Sequence, residues 1–310
     1  MMPSSAVTAA PARAPAGVLP ARAAVRLCYT VALLATAATA TGLLWTGGSA
    51  PEQVTSVRGE TVTLFGEGLY RFESVFKGAG HRGTDLVTLL LGVPLLLGAV
   101  RRYRRASVPG TLMLVGVLGW FLYLYATMAV GAAHNEFFLV YVALFGASLF
   151  GVALVVNTLD LRAVRERVGD DLPARTIAGF LVVTGLFTVV MWGAGLVTVL
   201  VEGQAPGTLG HATTTVTEAL DLAIVVPLAV VAACQLFTGR LGTGSVMAVP
   251  VLLLLTALAP VIAAQTVSQL RAGVELTTAE VAGPIAGFIV LGGCAAVLLL
   301  RLLRALQPSI

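Results

Sequence analysis

Two apolar runs of this sequence begin with carboxylate side chains, and these are the residues best suited to chemistry. Asp85 follows His81 and Arg82 and leads into LVTLLLGVPLLL, while Glu218 and Asp221 precede LAIVVPLAVV. An ionisable group inside an apolar zone needs a partner or a function, and we expect Arg82 to be the partner of Asp85. Glu218 and Asp221 share one helix face, where two carboxylates can share a proton or hold a cation. Alternatively, these acidic residues only cap their helices.

Histidines and a short polar turn add further candidates. His134-Asn135-Glu136 is the whole connection between two long apolar runs. His81, His134 and His211 all fall on the outer side of the topology described below. Imidazole and carboxylate are ordinary metal ligands and proton carriers, but no histidine has a ligand spacing such as HxxxH or HxH. The sequence therefore predicts no metal site and leaves any cofactor undetermined.

Residues 47–85 form a polar segment with a pattern of its own. Phe65, Leu69, Phe72 and Phe76 recur at helical spacing, and Glu67 and Arg71 are placed to pair with each other. We expect an amphipathic helix that lies at the membrane interface, with Tyr70 at headgroup depth. The alternative is a lid over a pocket that opens outward.

Composition assigns the chain to a membrane. Hydrophobic residues make up 57% of the 310 residues, charged residues only 11%, and the mean hydropathy is +0.94. Apolar runs of about 18 or more residues suit helices across a bilayer, and burial in a water-soluble core does not explain them. The pI of about 9.2 reflects arginines between the runs, which orient a membrane protein, so we exclude nucleic-acid binding.

The pattern predicts an all-α, polytopic transmembrane bundle of eight helices. Residues 1–24 predict a disordered cytoplasmic tail, and residues 25–310 predict the bundle. A cleaved signal peptide is the alternative for the first run, which is long for that purpose. The predicted spans are Leu27–Trp45, Leu86–Val100, Thr111–Ala132, Phe137–Asn157, Thr176–Val201, Leu220–Phe237, Val246–Leu270 and Val281–Leu303.

The charges predict an orientation. With the N-terminus inside, the outer basic residues among the 19 are only Arg58, Arg71, Lys77, Arg82 and Arg271. This positive-inside distribution places both termini in the cytoplasm. Most acidic residues fall outside, which makes the outer face acidic. We expect a multi-pass protein of a bacterial cytoplasmic membrane, with membrane lipids as its neighbours.

A weak internal repeat accompanies this topology. Asp85 and Asp221 each stand near the outer end of the second span of a four-span half, and each precedes Val-Pro-Leu. Because four spans return the chain to the same side, the halves would be parallel repeats about an axis along the membrane normal. Chance recurrence of Pro and Leu in apolar helices is the alternative.

Cysteine chemistry and common catalytic motifs are not indicated. Cys28, Cys234 and Cys294 all lie within apolar runs and form no CxxC pair, so we expect neither a disulfide framework nor thiol catalysis. The sequence contains no P-loop, GxSxG, Rossmann or HExxH motif.

Three stretches carry a resemblance: GEGLYRFESVFKGAGHRGTDLVTLLLGVPLLL, AAHNEFFLVYVALFGASLF and EALDLAIVVPL. Together they resemble a group of uncharacterised bacterial membrane proteins with about eight spans. The resemblance covers most of the chain after the first span and implies no activity. It implies that the outer segment, Asp85, the turn at 134–136 and Asp221 belong to one site.

These observations leave three functions open, and whether the protein is an enzyme stays undecided. The first is an outward-facing acidic pocket that binds or transports a small solute or cation. The second is a structural or partner-binding subunit without chemistry of its own. The third is an enzyme that acts on a lipid or prenyl-like substrate with an Asp as acid or base. The candidate ligand-binding residues are Tyr70, His81, Arg82, Asp85, His134, Asn135, Glu136, Glu218 and Asp221.

Overall fold

The computed structural model describes residues 18–48, 50–168, 172–203, 209–210 and 212–307. Eight of its helices are long and apolar enough to cross a membrane, which confirms the predicted all-α bundle. These spans 1 to 8 are Arg22–Leu44, Val75–Arg104, Val108–Gly131, Phe138–Val156, Ala174–Glu202, Val216–Phe237, Leu241–Arg271 and Thr278–Ala305. A short helix, Leu161–Arg167, connects spans 4 and 5.

The helices form because their sequences are apolar on nearly every face, and a helix satisfies its own backbone hydrogen bonds in a medium without water. Local signals set several of their ends. Ser74 and Ser107 accept a hydrogen bond from the first turns of spans 2 and 3. Thr277 and Glu280 form a reciprocal capping box at the start of span 8.

Spans 1 to 4, the first half, and spans 5 to 8, the second half, are packed differently. In the first half, span 1 contacts spans 2 and 4, and span 3 contacts the same two, so the four helices close into a bundle. In the second half, spans 5, 6, 7 and 8 pack in a row, and spans 5 and 8 make at most marginal contact among the described residues. Span 7 packs against spans 2 and 3 and joins the halves.

The two ends of the bundle also differ. The polar segment 45–74 and the turn at 132–137 lie at one end, here named the cap end. The turn at 105–107 and the helix Leu161–Arg167 lie at the opposite end, here named the arginine end.

The helix predicted from the spacing of Phe65, Leu69, Phe72 and Phe76 does not form in the described part of the cap end. Strands β1 (Gln53–Thr55) and β2 (Thr61–Thr63) pair antiparallel, and a single 3₁₀ turn follows at Gly68–Tyr70. Gly66 and Gly68 adopt positive φ angles of 75° and 55°, which an α-helix cannot include. The predicted helical face is divided as a result, because Phe65 and Leu69 are buried whereas Phe72 and Phe76 are exposed.

Span 2 begins at Val75, well before the predicted start at Leu86. The polar residues of this added part, Lys77, His81, Arg82 and Asp85, made it look like a loop in the sequence. They are tolerated in the helix because they face protein and not lipid, and Asp85 is only 8% exposed.

Spans 2 and 6 share an irregularity. A π-helical turn occupies Thr88–Gly92 in span 2 and Asp221–Val225 in span 6, and Val-Pro-Leu follows each turn directly. Proline has no N–H to give to the carbonyl four residues earlier, and a wider turn upstream accommodates this gap. The prolines are Pro94 and Pro227. When the two spans are aligned on these prolines, Asp85 aligns with Glu218, because each acid lies nine residues before its proline. This alignment supports the predicted repeat but pairs Asp85 with Glu218, not with Asp221.

Candidate functional site

Asp85 is buried inside the first half, and its partner is a tyrosine of the cap end. The Tyr70 hydroxyl donates to Asp85 Oδ2 across 2.6 Å. Gly42 of span 1 lies so close that a methyl group there would clash with both side chains. Burial, followed by the electrostatic effect of Asp85, raises the pKa of the Tyr70 hydroxyl well above its ordinary value. Tyr70 therefore remains a hydrogen-bond donor across the physiological pH range.

Further hydroxyl groups surround this pair. Tyr125 of span 3 and Tyr141 of span 4 stack with their ring centroids 6.3 Å apart, and both interact electrostatically with Asp85. The hydroxyls of Tyr125 and Thr88 are buried and have no hydrogen-bond partner among the described residues. Such groups are costly to leave unpaired, so they mark a place where water or a small ligand would be stabilised.

Glu73 and His81 extend this polar group to the surface of the cap end. Glu73, which is 2% exposed, accepts a hydrogen bond from Ala133 N across 2.6 Å. Its Oε1 lies 3.6 Å from His81 Nε2, and the His81 ring lies 5.1 Å from the Tyr70 ring. Glu73, His81, Tyr70 and Asp85 therefore form a row of contacting side chains, here named the inner chain, from the cap end into the first half, with a ring contact between His81 and Tyr70.

The arginines of the cap end have different partners from those predicted. Arg82 binds Glu67 across 3.1 Å and not Asp85, and its guanidinium lies over the Phe65 ring. Arg71 pairs with Glu136 and not with Glu67. The second correction follows from the glycine-containing turn at 66–70, which replaces the helix that would have placed Glu67 and Arg71 four residues apart. In the first, Arg82 and Asp85 share span 2, but each has a partner on the cap end, Glu67 for Arg82 and Tyr70 for Asp85. Hydrogen bonds from Arg71 lower the pKa of the Glu136 carboxyl below its ordinary value.

The turn between spans 3 and 4 divides into buried and exposed members. Asn135 is 6% exposed, and its Oδ1 accepts a hydrogen bond from Phe137 N across 2.9 Å. His134 is exposed, and its ring stacks on Phe138 with centroids 5.1 Å apart. Glu136 is exposed and tied to the cap end through Arg71. Asn135 therefore stabilises the turn, and the contact given for the His134 ring is with Phe138.

Asp221 lies in the π-helical turn of span 6 and joins three spans. It accepts one hydrogen bond from the Tyr123 hydroxyl of span 3 across 2.8 Å and one from Trp192 Nε1 of span 5 across 2.9 Å. No cap bond from Asp221 to its own helix exists in the described structure. This carboxylate therefore fixes neighbouring helices to one another, and the capping interpretation does not describe it.

A polar cleft of about 410 Å³ opens at the cap end between the two halves. Spans 2, 3, 5, 6 and 7 all contribute to it, and its chemically distinctive lining residues are Lys77, His81, Trp192, Glu218, Gln265 and Gln269. Gln265 donates its amide N–H to Thr84 Oγ1 across 2.8 Å, and Gln269 donates to the Phe76 carbonyl across 3.1 Å. Both amide nitrogens are thus engaged by span 2, which leaves the amide oxygens as acceptors for a ligand.

A second cavity of about 270 Å³ is a groove on the side of the bundle. Spans 3 and 7 form its floor, and spans 4 and 6 form its walls, with the exposed side chains Leu149 and Ile224 at the rim. Nearly all of its lining is apolar. Tyr123 is the exception, and its hydroxyl is held by Asp221.

The structure thus separates what the sequence suggested was one site. Asp85, Tyr70 and His81 form the inner chain, Glu218 lines the cleft, and Asp221 binds Tyr123 and Trp192; Asp85 and Asp221 share no partner among the described residues. His81 belongs to both the inner chain and the cleft. His211 lies outside the described residues, and the described part of the chain contains no cluster of three potential metal ligands.

Several important residues were not identified from the sequence. Tyr123 and Trp192 bind Asp221, Tyr125 interacts electrostatically with Asp85, and Glu73 lies beside His81. The sequence offers a signal for the two tyrosines. Tyr123 and Tyr125 stand two residues apart in an otherwise apolar span, which directs their hydroxyls to opposite sides of the helix. Buried tyrosines usually have a partner for the hydroxyl, so this pair indicates polar groups on both sides of span 3.

No protein-family model, curated protein or solved structure matches the chain. The fold and its eight apolar helices define the class, a multi-pass integral membrane protein. The resemblance to a group of bacterial proteins stays a prediction.

Proposed function

We propose that the protein binds a small polar solute or cation in the cleft and carries it across a bacterial cytoplasmic membrane. In this proposal the cap end faces outward and both termini lie in the cytoplasm. The observation that carries it is the position of the cleft: it is lined by charged and amide side chains among apolar ones, opens at one end, and is built from both halves.

The cleft's location suits transport because one of the helices that line it, span 5, is loosely packed against the rest of the bundle. Span 5 has 17% of its apolar window buried, against 56% in spans 2, 3 and 7. A loosely packed helix beside a closed bundle can shift with less loss of contact than a core helix can. Below the cleft, Leu112, Leu118, Val249 and Leu252 are fully buried and close the passage. This arrangement matches an outward-open state.

The acceptors of the cleft favour a positively charged group. Glu218 supplies a carboxylate, Gln265 and Gln269 supply amide oxygens, and the Trp192 ring offers a π-face. Lys77 is the one lysine of the sequence and lines the same cleft. A ligand with one cationic group and a separate hydrogen-bond acceptor would interact with both Glu218 and Lys77.

Asp221 would couple ligand binding to helix position. The carboxylate holds the Trp192 indole, which lines the cleft, and the Tyr123 hydroxyl, which belongs to a core helix. A ligand that displaces Trp192 would break one of these bonds and release span 5. The inner chain from Glu73 to Asp85 would supply a proton acceptor beside the cleft through His81.

Ligand binding can be tested with Trp192 as the reporter. The purified protein would first be screened by thermal shift against amino acids, polyamines, quaternary ammonium compounds and inorganic cations. Hits would then be titrated by fluorescence in a variant with Trp45→Phe and Trp120→Phe, which leaves Trp192 as the single tryptophan. We expect Glu218→Gln to weaken binding roughly tenfold or more, since a lost charged hydrogen bond costs about 1.5–3 kcal/mol.

Glu275→Gln is the matched control, because Glu275 is exposed at the cap end and does not line the cleft. It should bind like the wild type. Equal affinity in the Glu218→Gln and Glu275→Gln variants would contradict the proposed site. If the protein binds a solute but does not accumulate it when reconstituted in liposomes, the protein is a binding protein and not a transporter.

The lateral groove favours a second candidate, an enzyme that acts on a lipid or prenyl-like substrate. An apolar chain in the groove would place its polar end near Tyr123 and Asp221, which could act as acid or base. Leu149→Trp would fill the groove from span 4, and Leu97→Trp, on an exposed face of span 2, is its control. This candidate would be favoured if both variants still transported the solute but Leu149→Trp no longer turned over an added prenyl lipid.

A further inference from the structure

We infer that the arginine end carries a binding site for the headgroup phosphate of an anionic phospholipid. Its members are Arg22 and Arg26 of span 1 and Arg104 of span 2, which line a pocket of about 420 Å³ together with Pro20, Val25 and Tyr29. The inference is independent of any solute bound at the cap end.

The charges of this pocket are uncompensated. At the cap end, Arg58, Arg71 and Arg82 each have an acidic partner within 4.0 Å. None of the arginines of this pocket has one among the described residues, and no acidic residue lines the pocket. Asp160, at the same end, accepts hydrogen bonds from the N–H groups of its own helix. Three converging cations without a carboxylate between them would attract a phosphate.

The pocket is held open by the fold. The N–H of Ala21 donates to the hydroxyl of the fully buried Tyr103 across 2.8 Å, which fixes the start of span 1 to the end of span 2. Arg104 donates to the Tyr29 hydroxyl across 3.3 Å, so its guanidinium is directed to span 1. The positive end of the span 1 helix dipole lies at the same place.

The surface next to the pocket is apolar, and it therefore favours a lipid over a free anion as the ligand. Arg22, Arg26, Tyr29 and Leu33 follow one another at helical spacing along one face of span 1. Tyr29 is 43% and Leu33 is 71% exposed, so the face continues from the arginines as an apolar surface toward the bundle's middle. A phosphate at the arginines would leave the acyl chains on this surface.

Native mass spectrometry of the detergent-solubilised full-length protein can test the inference. Phosphatidylglycerol and phosphatidylcholine of matched acyl chains would be titrated against the wild type and against Arg26→Gln/Arg104→Gln. We expect the wild type to prefer phosphatidylglycerol, and the double variant to lose this preference by roughly 10- to 30-fold, given the usual effect of two arginines near an anionic headgroup.

Arg101→Gln/Arg105→Gln is the matched control, because it removes the same charge at the same end without touching the pocket. It should retain the preference. An equal loss in both double variants would overturn the site in favour of general surface charge. Displacement of phosphatidylglycerol by excess inorganic phosphate would overturn the assignment to a lipid, and a wild type without preference would overturn the inference without any variant.

Discussion

Two carboxylates within the spans, Asp85 and Asp221, accept hydrogen bonds from neutral donors in the described structure. Tyr70 holds Asp85, and Tyr123 and Trp192 hold Asp221. In a buried ion pair, protonating the acid would leave an unpaired cation at a high cost. With hydroxyl and indole partners, either acid can gain or lose a proton while the remaining groups stay neutral. In the proposed transport function, this arrangement would let either residue change protonation without leaving an unpaired cation.

The position of Asp221 gives a spectroscopic prediction. In the variant whose single tryptophan is Trp192, Asp221→Asn should shift the emission maximum and raise the mobility of the indole, because an amide is a weaker acceptor than a carboxylate. The emission spectrum measures the first effect and fluorescence anisotropy the second. Asp160→Asn, at the arginine end, is the control and should leave the emission unchanged. An unchanged spectrum in Asp221→Asn would show that the indole is held by packing alone.

The close approach of Gly42 to the Tyr70–Asp85 pair gives a stability prediction. Replacing glycine by alanine inside a helix normally stabilises it by roughly 0.5–1 kcal/mol. Gly98→Ala should show that gain, since nothing lies near an added methyl group there. Gly42→Ala should lower the melting temperature instead, because the methyl group would push against Asp85 and Tyr70. A higher melting temperature in both variants would mean that the pair has room to move.

The effect of Lys77→Gln on affinity should show whether the ligand carries an anionic group. Lys77→Gln should strengthen the binding of an inorganic cation, because it removes like-charge repulsion in the cleft. It should weaken the binding of a solute that has an anionic group for Lys77. Titration of Trp192 fluorescence with each ligand class distinguishes the two, with Arg271→Gln, exposed at the cap end, as the charge-matched control. No change with any ligand would place Lys77 outside the binding site.

At the scale of elements, the sequence specified the spans well and the cap end poorly. Spans 3 and 4 begin and end close to their predicted bounds, since both are apolar along nearly their whole length and polar residues flank them. The prediction for span 2 began too late because its first turns contain polar residues. The hydropathy of a residue does not show whether its side chain faces protein or lipid. The helix predicted at 65–76 failed for a related reason: the spacing of its phenylalanines fits a helix, but Gly66 and Gly68 turn the chain instead.

The π-helical turns predict where a deletion is tolerated. A π-turn contains about one residue more than an α-turn, so removing Leu90 from the turn at Thr88–Gly92 should leave an ordinary α-helix with both flanks in register. Removing Leu97 from the regular part of span 2 should rotate every following residue by about 100°. Both leucines are exposed. The first variant should remain monodisperse by size-exclusion chromatography and the second should aggregate; equal behaviour would argue against a π-turn.

At the scale of the molecule, the sequence predicted eight helices and the division into two halves, but not how the halves meet. The predicted single site required Asp85 and Asp221 to converge, and the alignment on Pro94 and Pro227 explains why they do not. Glu218 is the counterpart of Asp85, and Asp221 is a third acid on the opposite side of span 3. Whether two acids on different spans lie close together depends on how the helices pack across the halves, and the residue pattern of a single span does not predict that packing.

The orientation of the molecule can be measured by labelling. In a variant without Cys28, Cys234 and Cys294, a single cysteine would replace Glu52 or Glu275 at the cap end, or Arg105 at the arginine end; all three positions are exposed. A membrane-impermeant maleimide should label Glu52→Cys and Glu275→Cys in intact bacterial cells. Arg105→Cys should react only after permeabilisation, because positively charged ends stay in the cytoplasm. The reverse result would place the cleft on the inside.

The contact between spans 1 and 4 has a consequence for how the protein is made. It closes the first half using residues 22–156 alone, before any residue of the second half is needed. Domains generally fold as units, the N-terminal one first during synthesis. The first half can therefore assemble in the membrane while the ribosome is still translating the second. Span 7 packs on the surface of this first half, whereas span 5 packs mainly against spans 6 and 7. Span 5 therefore finds its partners only after they have been made.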